Sequence, residues 1–142
     1  MTILAALALA AASAPPGPRC DVALDRVAPV LRRAFALHEQ DDYPRARACF
    51  ERALALAGAA GDAPSEAEAR RGLGRTLLRQ GHHDAAAVEL DAALALFDAQ
   101  DDALGTARTE SHLGSVAMQQ GRRDEARELY EDARDRFDAV EG

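Results

Sequence analysis

The chain has 142 residues, of which 48% are hydrophobic and only 4% aromatic, and its formal net charge is -7. This length accommodates one domain, and abundant Ala and Leu with few aromatic side chains favours helices over a β-sandwich or barrel. The acidic balance disfavours nucleic acid or an anionic membrane as the main partner, because phosphate binding needs a dominant basic surface. We therefore expect an all-α fold.

The first fourteen residues, MTILAALALAAASA, form an apolar run that ends in small side chains. The run has the length of a signal-peptide core and is too short to span a bilayer. No Lys or Arg precedes it, and an Ala-rich start also arises when the initiation codon is misassigned. We expect residues 1–14 to be a signal peptide and the protein to be exported, either periplasmic or secreted; a cytoplasmic protein is the alternative.

Residues 15–27 are expected to form a spacer and N-terminal extension, since they begin with Pro-Pro-Gly-Pro, which cannot join a helix. Cys20 lies in this extension and Cys49 lies further along the chain. In an oxidising compartment the two cysteines could form one disulfide that fastens the extension to the folded domain. In the cytoplasm they would be two unrelated thiols, with Cys49 as a small buried residue.

A segment then recurs at a spacing of forty residues, as the alignment of Gln40, Gln80 and Gln120 shows. The heptapeptide QGHHDAA at 80–86 corresponds to QGRRDEA at 120–126, and QDDYPRA at 40–46 is a weaker copy. A period of this size is typical of stacked-repeat proteins. We expect three repeats, at 28–61, 62–101 and 102–142.

Helix signals lie inside each repeat. In the first repeat, Pro29 indicates that the first helix either begins there or is kinked there. In the second repeat, Ser65 and Glu68 have the spacing of a capping box, and Gly81 should end the helix that they begin. Small and large apolar side chains then recur at helical spacing along one face of a second helix. Each repeat is therefore predicted to be a pair of helices.

The second repeat contains Leu73-Gly74 followed by Gly81, Ala86, Leu90 and Ala93, and the third contains Leu113-Gly114 followed by Gly121, Ala126, Tyr130 and Ala133. These residues resemble the tetratricopeptide repeat family, and the forty-residue period resembles its long-helix subclass in kinesin light chains and bacterial regulators. The resemblance implies a right-handed superhelix of three antiparallel helix pairs. Gly74 and Gly114 would let the paired helix approach closely.

The last helix departs from the pattern of the first two repeats. Arg134 stands at the position that Leu54 and Leu94 occupy in the first two repeats. Arg136 likewise stands at the position of Leu56 and Leu96. Solenoids need a polar outer face on their terminal repeat. These arginines are therefore expected to cap the stack; incidental charge variation is the alternative.

In the tetratricopeptide repeat family the first helix of each pair lines a concave groove. The resemblance places a basic row, Arg71, Arg75 and Arg79, on that face, and Arg is suited to binding carboxylates in an acidic peptide. Alternatively, these arginines form a solvated face that pairs with Glu66, Glu68 or acids of neighbouring helices. The candidate peptide-binding or protein-binding residues are Arg32, Phe35, Arg71, Arg75, Arg79, Arg108 and His112.

No pattern in the sequence predicts catalysis, a cofactor or a metal site. His82 and His83 are adjacent and lack the helical spacing of a metal-ligand pair. The expected function is a non-catalytic scaffold, a monomer with self-association possible, that binds a protein or peptide partner, which could be acidic. The alternatives are a structural subunit of an envelope or secretion assembly and a cytoplasmic regulatory module.

Overall fold

The computed structural model describes residues 17–23 and 25–142. Six helices follow one another in this part of the chain, and it contains no strand. None of these helices is both long and apolar enough to cross a membrane. The helices are α1 (Val27–Glu39), α2 (Tyr43–Ala60), α3 (Ala63–Arg79), α4 (His83–Ala99), α5 (Ala103–Gln119) and α6 (Arg123–Glu141).

The turns between the helices repeat every twenty residues, which is half of the period seen in the sequence. At each turn one residue adopts a positive φ, between 53° and 83°, and glycine occupies three of the five positions. The N–H of the next residue donates to a carbonyl five residues earlier, as Asp42 does to Leu37 and His82 to Leu77. This hydrogen bond is the 6→1 bond of the Schellman motif. The positive-φ residues are Asp41, Gly61, Gly81, Asp101 and Gly121.

Aspartates begin three of the helices. The carboxylates of Asp42, Asp62 and Asp102 each accept a hydrogen bond from the N–H three residues later. The prediction that Ser65 caps α3 was therefore wrong. Asp62 is the capping residue, and its carboxylate accepts a hydrogen bond from the Ser65 N–H at 3.2 Å. Pro29 lies in the first turn of α1, where an N–H would have no partner within the helix.

Each helix packs against the next along the chain, so the six helices stack as three successive pairs. The first helices of the pairs, α1, α3 and α5, also touch their neighbours in that series, whereas α2, α4 and α6 make no such contacts with one another within the described residues. The row formed by α1, α3 and α5 is therefore the tighter side of the stack. We call this inner side the concave face.

Within the second and third pairs, a glycine of the first helix receives a large side chain of the second. A Cβ added at Gly74 would lie 2.6 Å from Cγ of Leu90, and one added at Gly114 would lie 2.9 Å from Cε1 of Tyr130. Side chains at either glycine would hold the paired helices apart. The expected close approach at these two glycines is confirmed.

Two further glycines perform the same role between successive pairs. Phe50 of α2 packs on Gly72 of α3, and Phe97 of α4 packs on Gly105 of α5; added Cβ atoms would lie 2.1 Å and 2.3 Å from the respective rings. Both phenylalanines are almost completely buried. Helices joined by one turn thus approach closely both within pairs and between them.

The segment before α1 is attached to the first pair. Cys20 is bonded to Cys49 of α2, with a Cα–Cα distance of 4.5 Å. Arg33 of α1 donates two hydrogen bonds to the Asp21 carboxylate, at 2.9 and 2.7 Å. Val22 packs against the apolar core. The expected signal peptide at 1–14 and the first two residues of the spacer lie outside the described residues.

The two arginines expected to cap the stack lie in different places. Nε of Arg136 donates to both carboxylate oxygens of Glu110 in α5, at 3.0 and 3.1 Å. Burial raises the pKa of Glu110, and the Arg136 charge acts in the opposite direction. Arg136 therefore pairs inside its own repeat, because a carboxylate on the facing helix needs a cation. Arg134 is exposed at the end of the stack.

Candidate functional site

The candidate site is the concave face, and the structure distributes its sequence-predicted residues among α1, α3 and α5. The seven differ in accessibility. Arg32, Arg79 and Arg108 are exposed, Phe35, Arg75 and His112 are half-buried, and Arg71 is buried. Among the described residues, Arg32 and Arg108 form no ion pair.

The three arginines of α3 each meet a different neighbour. Arg71 pairs with Glu68 of its own helix at 2.7 Å, and Arg75 pairs with Glu39 of α1 at 3.0 Å. The Arg79 guanidinium lies over the ring of Tyr43, 5.5 Å from its centroid. These contacts relieve the repulsion expected between like charges four residues apart. Two of these contacts, Arg71 with Glu68 and Arg75 with an acid of a neighbouring helix, are of the kinds that the solvated-face interpretation anticipated.

Arg71 is largely removed from solvent. Its side chain is 10% exposed, and its guanidinium lies 5.5 Å from the Phe35 ring centroid. Phe35 in turn meets Phe50 edge-on, with the centroids 4.9 Å apart. Nε of Arg71 is covered and has no hydrogen-bond partner among the described residues. Arg71 thus contributes its charge to the concave face, while Arg75 and Arg79 offer accessible guanidinium groups.

His112 of α5 reports the electrostatics of this face. Burial and the charges of Arg71 and Arg75 lower its pKa to about 4. The imidazole is therefore neutral near pH 7 and able to donate one hydrogen bond and accept another. Charges on α3 therefore act on a side chain of α5 on the same side of the stack.

His38 of α1 is buried between α1 and α3. It is 4% exposed, and its Nδ1 lies 2.9 Å from Oγ1 of Thr76 in α3. Burial, followed by the charge of Arg75, lowers the pKa of His38. His38 therefore joins α1 to α3 rather than offering a group to a ligand.

Thr76 and Tyr43 are the contributors that the sequence reasoning missed. Thr76 is fully buried and hydrogen-bonded to His38. Its hydroxyl donates to the Gly72 carbonyl at 2.9 Å. Tyr43 begins α2 and supplies the ring beneath Arg79. The available sequence signal for Thr76 was that it is the only uncharged polar side chain among the arginines, leucines and glycines of residues 70–79. No sequence signal connects Tyr43 with Arg79, which lies on another helix.

One cluster brings together residue types that bind metals. The ligand atoms of Cys20, Asp21 and Cys49 lie within 4.8 Å of one another. Both sulfurs are bonded to each other, and the Asp21 carboxylate is occupied by Arg33. The thiolates that a metal would require are therefore consumed by the disulfide. On the concave face, the groups are suited to ion pairs and hydrogen bonds with a ligand.

Comparisons with known proteins identify the repeat. The model of the family described as tetratricopeptide repeat matches residues 26–99, and a second model with the same description matches residues 106–137. The fold is similar to the crystal structure of the TPR domain of Arabidopsis FLU, with a TM-score of 0.74 and 23% identity over 80% of this chain and 95% of that chain. No curated protein matches the sequence significantly. Since the first match spans more than half of the sequence, the chain belongs to the tetratricopeptide repeat family, whose members generally act as non-catalytic scaffolds for protein interactions.

Proposed function

We propose that this protein acts by binding, without catalysis, and that it holds an acidic segment of a partner protein on the concave face. The observation that carries the proposal is the cationic character of this face in a protein with a net charge of -7. The arginine charges there lower the pKa values of both His112 and His38. A negatively charged ligand would relieve the same repulsion.

Arg75 and Arg79 would make the direct contacts. The Arg75 side chain is 32% exposed, and its present partner Glu39 is 64% exposed, so this ion pair is accessible to a competing carboxylate. Exposed ion pairs of this kind contribute little to stability, and exchanging one carboxylate for another costs little. Arg79 and Arg108 are exposed on the same row of helices and add to its positive charge. The net charge of -7 for the whole chain also disfavours nucleic acid as the partner.

A pair of matched variants tests this proposal. Arg75→Gln with Arg79→Gln removes two charges from the concave face, and Arg45→Gln with Arg47→Gln removes two from α2, where both arginines also form ion pairs. Fluorescence anisotropy would follow labelled peptides of equal length and increasing Glu content. We expect affinity to rise with Glu content, to fall with added salt, and to drop in the concave-face variant alone. Equal losses in both variants would contradict a specific concave site.

We also propose that the protein is exported. The bonded pair Cys20 and Cys49 supports this proposal, because disulfides persist in oxidising compartments. Intact mass of protein from fractionated cells, before and after reduction, tests it. We expect a mass that lacks the signal peptide and that increases by two hydrogens on reduction. A full-length chain with free thiols would favour the cytoplasmic regulatory module instead, and a mass that grows with concentration would favour the structural subunit.

A further inference from the structure

The last helix pair carries an open groove at the end of the stack. We call it the end groove; it has a volume of about 430 Å³ and is lined by Met118, Arg123, Arg127, Tyr130, Glu131 and Arg134. Met118 is 48% exposed and Tyr130 is 38% exposed, and both are among the few large apolar side chains exposed in the described residues. The end groove lies on α5 and α6 and does not include the candidate residues of the concave face.

The repeat shows what kind of element fits this surface. Forty residues earlier, Leu78, Leu90 and Leu94 occupy the places of Met118, Tyr130 and Arg134. Leu90 is completely buried, and Leu78 and Leu94 pack against a core that Leu113 and Val116 of α5 also join. In the second pair, these positions are thus part of the core shared with the next repeat's first helix.

The first pair leads to the same conclusion. Phe50 occupies the place of Tyr130, eighty residues earlier, and its ring packs on Gly72 of α3. At both earlier positions in the stack, the surface that corresponds to the end groove adjoins the first helix of the following pair. The end groove therefore has the geometry of a helix-docking surface.

Its charge distinguishes it from the earlier two surfaces. Arg123, Arg127 and Arg134 stand where the second repeat has His83, Ala87 and Leu94. Three arginines against Glu131 give the groove a formal charge of about +2. Among the described residues, Arg123 and Arg134 form no ion pair, and Arg127 has only a long contact of 3.7 Å with the exposed Asp124. The groove is apolar at its centre and basic at its rim.

A second copy of this chain is a poor match for such a surface. The only acid of α1 is Glu39, which already pairs with Arg75, whereas α1 carries Arg32 and Arg33. Residues 20 and 21 of the preceding segment are also fastened to the first pair. Two end grooves placed face to face would bring together three arginines from each copy. Like charges at an interface select against such pairing.

We propose that the end groove binds an amphipathic helix of a partner protein, with an apolar stripe that covers Met118 and Tyr130 and with acidic residues along its edges. The apolar stripe would meet the two exposed side chains, and the acidic edges would meet Arg123, Arg127 and Arg134. This site is separate from the concave face and does not depend on what binds there. A helix in this position would continue the packing seen between α4 and α5.

Two synthetic peptides test the proposal: an amphipathic helix with Leu along one stripe and Glu at its edges, and the same helix with Lys in place of Glu. Isothermal titration calorimetry would measure affinity, and the Met118 methyl resonance would report the site. We expect the Glu peptide to bind about tenfold more tightly than the Lys peptide, since each exposed charge pair contributes modestly. The Met118 resonance should shift, while those of His112 should not.

Charge reversal supplies the control. Arg127→Glu with Arg134→Glu should reverse the preference between the two peptides, whereas Arg45→Glu with Arg47→Glu on α2 should leave it unchanged. The proposal is wrong if neither peptide binds, if both bind equally well, or if the His112 resonances shift in place of Met118. It is also wrong if sedimentation shows that a second copy of the chain occupies the groove. Failure on these counts would leave the concave-face proposal standing.

Discussion

The contact between Gly72 and Phe50 allows a sharp test of how successive helix pairs are held together. A Cβ added at Gly72 would lie 2.1 Å from Cε1 of Phe50 and 2.4 Å from Cζ, far inside any tolerated contact. Phe50 is fully buried, and Phe35 meets its ring edge-on at 4.9 Å. The ring therefore has no free space into which to retreat. Gly72→Ala must separate α2 from α3 or displace the ring from its preferred rotamer.

The magnitude follows from two opposing effects. Replacing a helical Gly by Ala favours the helix by up to about 1 kcal/mol. Overpacking a rigid core costs typically about 1–3 kcal/mol. Because the approach here is so close, we expect the clash to outweigh the gain, so that the free energy of unfolding falls by about 1–2 kcal/mol. Gly58→Ala is the matched control: Gly58 is exposed within α2, and its added Cβ would meet nothing within 4 Å. That variant should be about 0.5 kcal/mol more stable.

Urea unfolding followed by far-UV circular dichroism measures both free energies. A third variant, Phe50→Leu, makes room at the contact, so Gly72→Ala should cost less in that background, with a coupling free energy above about 0.5 kcal/mol. If Gly72→Ala stabilised the protein as much as Gly58→Ala does, the reasoning that glycine sets the distance between α2 and α3 would be refuted. Full additivity of Gly72→Ala and Phe50→Leu would refute it as well.

Three further predictions concern the turns, the concave face and the disulfide. Asp101 has a φ of 53°, so Asp101→Gly should raise the free energy of unfolding by about 0.5–1 kcal/mol in thermal or urea unfolding, and Asp41→Gly by less because the Asp41 carboxylate accepts a hydrogen bond. His112 has a pKa of about 4 in the fold against 6.5 unfolded, so the unfolded state binds more protons between these values. The free energy of unfolding should be highest above about pH 6.5 and should fall by up to about 3 kcal/mol as the pH drops toward 4. His112→Asn should weaken this pH dependence. An unchanged pH profile in that variant would contradict the lowered pKa of His112. Cys20 and Cys49 are 29 residues apart, so reduction should lower the free energy of unfolding by about 3–4 kcal/mol, and Cys20→Ser with Cys49→Ser should remove the response to reductant; a wild-type protein insensitive to reductant would argue against the bond.

The sequence by itself determined the repeat and its helices. The forty-residue period, the turn glycines and the Leu-Gly pairs predict stacked helix pairs, and Gly74 and Gly114 receive Leu90 and Tyr130 as expected. These features could be inferred because they depend on neighbours within one repeat, where spacing along the chain fixes which residues meet. The same spacing concealed the twenty-residue period of the turns, because Asp41 and Asp101 stand where glycine would have revealed it.

Tertiary structure alone decided how the charged residues are used. Arg71 is buried beside Phe35, and Arg136 forms an ion pair with Glu110. The sequence pattern had predicted open surfaces for both arginines. Which carboxylate or ring a guanidinium meets depends on the side chain that a neighbouring helix presents at the point of contact. A repeat pattern specifies the helix faces but not these pairings across helices. Local periodicity therefore determined the architecture of this protein, and packing between helices determined which of its charges remain available for binding.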